Sequence, residues 1–316
     1  MIPFGSMASD GQGDAFAGLG PFDAALGVFA ALLVAVIAVV FPLERLAIAW
    51  SGVVPLVAAV AVFVVLLVFY GWRKEPRLTE VLRTAIWTLV LSNLCILPLY
   101  LPMRHAAPLA DPLLARLDHA CGFDDGLLVA WVSSHALVRR ASSFVYDTLT
   151  LLCLLSVMAT SFMGRVARAE NVLLAIVVGV AVTLVAAYFF PAIGPWETSG
   201  FLPSGDQASC GRVIRVLRES GPFTVDLANP DPIIATPSWH VILAVLAALA
   251  LRPMKWVGPF ACVWAGLIVL STLTTGWHYL ADVVAGFAVA LGSYTFSARW
   301  LRPRLVPARA SGAGTS

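Results

Sequence analysis

Eight near-continuous apolar runs limit what this chain can fold into. They lie at about 22–43, 46–71, 84–103, 143–163, 171–190, 237–255, 256–276 and 281–299, and roughly 20 such residues cross a bilayer as a helix. The run from Pro237 is the shortest, and a first pair forming a hairpin that does not fully cross would leave six spans. Of 316 residues, 60% are hydrophobic and 12% charged, with a mean hydropathy of +0.89. A water-soluble domain of this length could not cover so much apolar surface with so few charges. Helices satisfy every backbone polar group internally, whereas a barrel needs alternating strands of about ten residues that are absent here. The expectation is an all-α integral membrane protein, a multi-span helical bundle of about 8 spans with 6 as the alternative.

The domain reading follows from these runs. Residues 1–20 form a flexible N-terminus, Gly- and Asp-rich without a basic stretch, so no cleaved signal peptide is expected. Residues 21–104 are N-terminal membrane spans and 105–300 a catalytic membrane domain. Residues 301–316 are a disordered, Pro/Ala/Gly/Ser-rich tail. With alternating spans, one side collects Arg73, Lys74, Arg77, Arg83, Arg165, Arg168, Arg252, Lys255, Arg299, Arg302, Arg304 and Arg309, mostly in short loops. The other collects Arg45, Arg104, Arg116, Arg139, Arg140, Arg212, Arg215 and Arg218, mostly in two long loops. The positive-inside rule acts on short loops, which makes the first side cytoplasmic and the second extracytoplasmic. A net charge of +2 gives no reason to expect nucleic acid. Cys121 and Cys210 fall in loops on the second side, so a disulfide between them is an open option.

Two motifs carry chemistry. Thr236-Pro237-Ser238-Trp239-His240 opens the sixth of these runs, and Thr275-Gly276-Trp277-His278-Tyr279-Leu280-Ala281-Asp282 opens the last. Thr236 reads as an N-cap with Pro237 at the first helical position. On a helix starting near Trp277, His278 and Asp282 are four apart and share a face, so the carboxylate can fix the imidazole tautomer. Helix starts favour anions, and two of them bearing imidazoles suit a phosphate. In this reading His278 is the nucleophile, Asp282 orients it and His240 is the acid and base. No cofactor is called for, and spacing offers no third ligand for a metal. Trp196, Trp239, Trp277 and Tyr279 crowd the same membrane face, either as an interfacial belt or as a wall for a lipid substrate. His105, His119 and His135 are read as interfacial and non-catalytic.

The C-terminal third resembles the type-2 phosphatidic acid phosphatase superfamily of membrane phosphatases and lipid phosphotransferases. Pro237-Ser238-Trp239-His240 corresponds to its Pro-Ser-Gly-His signature, and Ser271-Thr272, His278 and Asp282 to its Ser-Arg, His and Asp signature. The resemblance implies a superfamily-type catalytic core, a phosphohistidine on His278, and substrate contacts from Ser238, Ser271 and Thr272. Thr272 stands where the signature has arginine, and no Lys-x6-Arg-Pro signature precedes the site. Phe190-Pro191-Ala192-Ile193-Gly194-Pro195-Trp196 and the stretch Leu114–Asp124 resemble instead the inositol phosphorylceramide synthase branch. With both basic signatures missing, Arg212 and Arg215 are the candidate phosphate ligands, with Arg139 or Arg140 behind them, and Trp196 a candidate substrate contact.

The expected function is transfer of a phospho-headgroup, inositol-phosphate-like, from a phospholipid donor to a lipid alcohol acceptor at a bacterial plasma membrane, on its extracytoplasmic face. The alternative with the same residues is a lipid phosphate phosphatase that uses water. A transporter is disfavoured because no ionisable residue lies deep in an expected span.

Overall fold

A computed structural model describes residues 20–105, 107–231 and 233–305, with side chains to Trp300. The expected flexible N-terminus and most of the expected disordered tail therefore lie outside the described residues. The helix that precedes the tail continues to Leu305.

Thirteen α-helices are present among the described residues, with two short 3-10 turns, Leu97–Tyr100 and Pro195–Glu197. The first four are α1 (Pro21–Leu43), α2 (Trp50–Trp72), α3 (Pro76–Leu94) and α4 (Leu101–Arg104). Then come α5 (Asp111–Ala120), α6 (Asp125–Ser134), α7 (Ala136–Asp147), α8 (Leu149–Phe162) and α9 (Val166–Phe189). The chain ends with α10 (Gly205–Arg218), α11 (Trp239–Leu251), α12 (Val257–Thr274) and α13 (Leu280–Leu305). Prolines at the first turns of α1, α3 and α5 suit starts where the missing N–H costs nothing.

Among the described residues, seven segments are long and apolar enough to cross a membrane: 22–43, 50–72, 76–104, 136–162, 166–189, 257–274 and 280–300. The remaining expected span, the sixth run, is α11, only 13 residues and about 20 Å at 1.5 Å per residue, against a hydrocarbon core of about 30 Å. It is apolar all round because it is the hub of the bundle. Val241, Ile242, Ala244, Leu246 and Ala250 are at most 1% exposed, packed among α8, α9, α12 and α13. The fourth span begins at Ala136, seven residues before its expected start, because α7 runs on into α8 with a break at Thr148. In contrast, α2 packs against α3 and leaves Val54, Val57 and Val65 exposed, as expected of a helix solvated by lipid.

The helices alternate in direction, so their connections sort to two ends. One end holds the tight turns at 73–75, 163–165 and 252–256, and there Arg83 links α1, α3 and α9 through Asp23 (3.0 Å) and Glu170 (2.7 Å). The other end holds α5, α6, α10 and both histidine motifs. A feature outside the all-α expectation lies at this second end. Two three-residue strands, β1 (Leu46–Ile48) and β2 (Phe223–Val225), pair in parallel with Leu46 opposite Phe223. Cys121 is exposed, Cys210 is buried, and no disulfide joins them. The reason is local: Cys210 faces an apolar cluster with Ile214 and Leu217 on α10, and burial pushes its thiol up to about 12.

Candidate active site

His278 is 3% exposed and lies before α13, not on it. The expected helix start near Trp277 is thus three residues early. Gly276, at φ 74°, turns the chain out of α12, and the Trp277 and His278 amides bond back to the Thr272 carbonyl (3.1 and 3.3 Å). A Cβ on Gly276 would come within 2.8 Å of the Phe201 ring and 3.0 Å of Val129, so both conformation and space require glycine.

The tautomer of His278 is fixed by a backbone carbonyl. Nδ1 lies 2.9 Å from the Ala235 oxygen, and a carbonyl can only accept, so Nδ1 carries the proton. Nε2 is left with its lone pair. Asp282, expected to make this bond, approaches Nδ1 only to 3.7 Å. Its carboxylate instead accepts from the Thr236 hydroxyl and, at 3.0 Å, from the Tyr279 amide. The Asp282 carbonyl also accepts from the Ser238 amide (3.2 Å). Asp282 therefore clamps the two histidine-bearing segments together, with its charge beside the imidazole. Thr236 is consequently not the N-cap of α11; Ser238 is, accepting from the Val241 amide at 3.4 Å. Pro237 is outside the helix, and Trp239 begins it.

His240, in the first turn of α11, faces His278 with ring centroids 6.1 Å apart. Tyr146 of α7 stacks on His240 at 4.0 Å, with its hydroxyl 3.3 Å from Nδ1. Trp277 stacks beyond Tyr146 at 6.2 Å and meets Trp196 edge-on at 5.6 Å. Nothing in the spacing of α7 marks Tyr146, because its partner is 94 residues away.

Two further carboxylates from α5 hold this arrangement. Asp118 accepts from the Leu280 and Ala281 amides (2.6 and 2.9 Å), capping α13 across 162 residues. The start of α13 is thus already occupied, contrary to the expectation that it offers its N–H groups to phosphate. Asp111 accepts from the Ile193 and Gly194 amides (3.1 and 2.8 Å) and from the Tyr279 hydroxyl (3.2 Å). Burial pushes both carboxyls up, offset by these bonds. Asp125, buried beside Asp118 and with Asp282 close by, is pushed up to about 7, by burial first. Tyr279 is wholly buried, and its hydroxyl also meets Thr198 and Gly194. It belongs to the core, not to a belt or lipid wall. Trp239 likewise packs inside the bundle.

The expected substrate contacts separate. Ser238 is buried and spends its hydroxyl on the α11 cap. Ser271 and Thr272, also buried, donate to the Ile268 and Val269 carbonyls of their own helix (both 2.7 Å). Arg215 pairs with Glu197 at 2.6 Å, and Arg212 is exposed on α10. Trp196 is 8% exposed, directly against Trp277. Arg139 and Arg140 are exposed on α7. His119 is exposed; His105 stacks on Tyr188 and His135 on Trp131.

Among known proteins, a family model described as the PAP2 superfamily matches residues 112–296. No curated protein matches. No solved structure matches either. The matched segment covers more than half of the chain and contains both histidines, Asp282, Asp118, Tyr146 and the α11 hub, so the chain belongs to the PAP2 superfamily.

Proposed function

We propose that this protein is a membrane lipid phosphotransferase that moves a phospho-headgroup from a phospholipid to a lipid alcohol through a phosphohistidine on His278. Superfamily membership supports phosphatase or phosphotransferase chemistry in general. The observation that carries the specific reading is the His278 environment. Nδ1 is committed to the Ala235 carbonyl, and a second imidazole stands beside it with ring centroids 6.1 Å apart, close enough for both rings to reach one phosphoryl group.

The steps balance with these residues alone. The Nε2 lone pair attacks phosphorus, the P–O bond to the donor alcohol breaks, and His240, which takes up a proton as the phosphate anion binds beside it, gives that proton to the leaving oxygen. The acceptor hydroxyl then attacks phosphorus, losing its proton to His240, and the P–N bond breaks to restore Nε2. The negative charge of Asp282, 3.7 Å from Nδ1, stabilises the positive charge that His278 gains in the first step.

Transfer is favoured over hydrolysis because Tyr146, Trp277 and Trp196 form an aromatic layer beside the histidines. Such a layer excludes water while admitting a lipid alcohol. Thr272 and Pro195-Trp196 support the same choice by their resemblance to the inositol phosphorylceramide synthase branch, which suggests an inositol-phosphate-like headgroup and a sphingoid acceptor. The short-loop basic residues support an extracytoplasmic site. The test is to incubate purified protein with a phospholipid labelled in its headgroup phosphate, with and without ceramide or diacylglycerol. Acceptor-dependent transfer of label is expected. Label released only as free phosphate or headgroup phosphate would establish the phosphatase alternative instead.

A further inference from the structure

Arg104 ends α4 at the same end of the bundle as the histidines, yet it is 7% exposed and nearly without partners. Its Nε and Nη2 are buried without a hydrogen bond, and Nη1 reaches the Leu217 carbonyl only at 3.4 Å. A guanidinium is always charged, and a buried charge left unpaired is strongly destabilising, so such a group calls for an anion. The surrounding charges do not supply one. Glu44 is near but exposed and makes no ion pair with it, and Arg45 also lies close. Arg218 is spent on the His105 and Ala107 carbonyls (3.4 and 2.7 Å).

Arg104 lines a groove of about 590 Å³ that opens between α1 and α9. Val36 and Val40 form one wall, Leu184 and Val185 the other, and Glu44 and His105 also line it. The walls are parts of membrane-spanning helices, so hydrocarbon is what solvates them. A groove with apolar walls and an unpaired cation, set at the end of two spans, has the polarity pattern of a phospholipid.

We infer that this groove is a phospholipid-binding site, in which the lipid phosphodiester pairs with Arg104 and an acyl chain lies between α1 and α9. Charge complementarity selects this occupant: a planar guanidinium forms bidentate bonds with phosphate oxygens, and a neutral partner would leave the cation uncompensated. None of the residues that surround His240 and His278 lines this groove, so the bound lipid is a resident of the fold rather than the reacting donor. Its effect is to seal α1 against α9.

The test uses the full chain carrying His278→Ala, so that no lipid is turned over. The detergent-purified protein is titrated with phosphatidylglycerol, and retained lipid is counted by native mass spectrometry. One tightly held lipid is expected, with Arg104→Gln weakening its retention about tenfold. Val185→Trp, which fills a wall and leaves the cation intact, should weaken it similarly. Both variants should keep a cooperative thermal transition, since removing an unpaired charge or filling a lipid-lined groove leaves the packed core alone. Retention unchanged in Arg104→Gln overturns the site. Displacement of the lipid by millimolar inorganic phosphate in the wild type, with no effect of Val185→Trp, overturns it in favour of a free-anion site. If Glu44→Gln and Arg104→Gln both lower the thermal transition while leaving the lipid count unchanged, Arg104 is paired with Glu44, and the proposal fails.

Discussion

At the residue scale, the two histidines depend on groups that differ in kind. His278 owes its tautomer to a backbone carbonyl that no side-chain substitution can remove, so changes at Asp282 act through charge and through the clamp to Thr236 and Ser238. Replacing His278 by Ala should abolish transfer without unfolding the protein, whereas His240→Ala should slow it by about 10²–10⁴, the usual worth of a positioned proton donor. Asp282→Asn keeps the shape, removes the charge and should lower kcat while the thermal transition falls only modestly. Retention of full kcat in Asp282→Asn would show that the carboxylate is structural only. Tyr146→Phe preserves the stacking on His240 and tests the hydroxyl alone; a shifted pH–rate profile with little change in KM is expected. The motifs that hold the histidines and Asp282 could be picked out because each is local, Pro237–His240 and His278–Asp282. Asp111, Asp118 and Tyr146 could not be, because each acts on a partner 82 to 168 residues distant, and spacing cannot encode such a contact.

Among elements, the join between α12 and α13 has the least tolerance. Gly276 sits at φ 74° with an aromatic ring against its absent side chain. Gly276→Ala should therefore destabilise by ~2 kcal/mol or more, through strain and crowding together, read as a lowered thermal transition in detergent. The α5–α6 pair predicts a pH effect. Asp125 is pushed up to about 7 in the folded protein, above the ordinary carboxylate value of 3.8. The folded chain therefore holds a proton that the unfolded chain releases, and stability falls as pH rises from about 4 through 7. Across that window the wild type should lose thermal stability relative to Asp125→Asn, which has no such proton to lose; parallel curves would refute the assignment. Element types were readable from apolar run length, but boundaries were not. Thr236-Pro237 has the composition of a helix start, yet the Asp282 carboxylate takes the Thr236 hydroxyl and moves the cap to Ser238. The β1–β2 pair was invisible because three-residue strands carry no periodic signal.

On the scale of the whole molecule, the bundle is tied at both ends by different means. The site end is joined by carboxylate caps and aromatic stacking, and the opposite end by Arg83 between Asp23 and Glu170. Arg83→Met leaves Asp23, Glu80 and Glu170 without their shared cation and should cost ~3 kcal/mol, measured as a shift in unfolding of the full chain in detergent. The composition predicted a membrane bundle correctly; the deviation was α11. A helix of 13 residues rises about 20 Å, roughly two thirds of the hydrocarbon thickness. The turn at 252–256 closes the end of α11 away from the histidines, so the shortfall is expected at the end that bears His240. A helix that short is expected to hold His240 within the hydrocarbon layer rather than among the headgroups. For the transfer proposed above, long-chain alcohols should then reach the site by partitioning and short soluble ones should not; equal turnover with both would refute this placement.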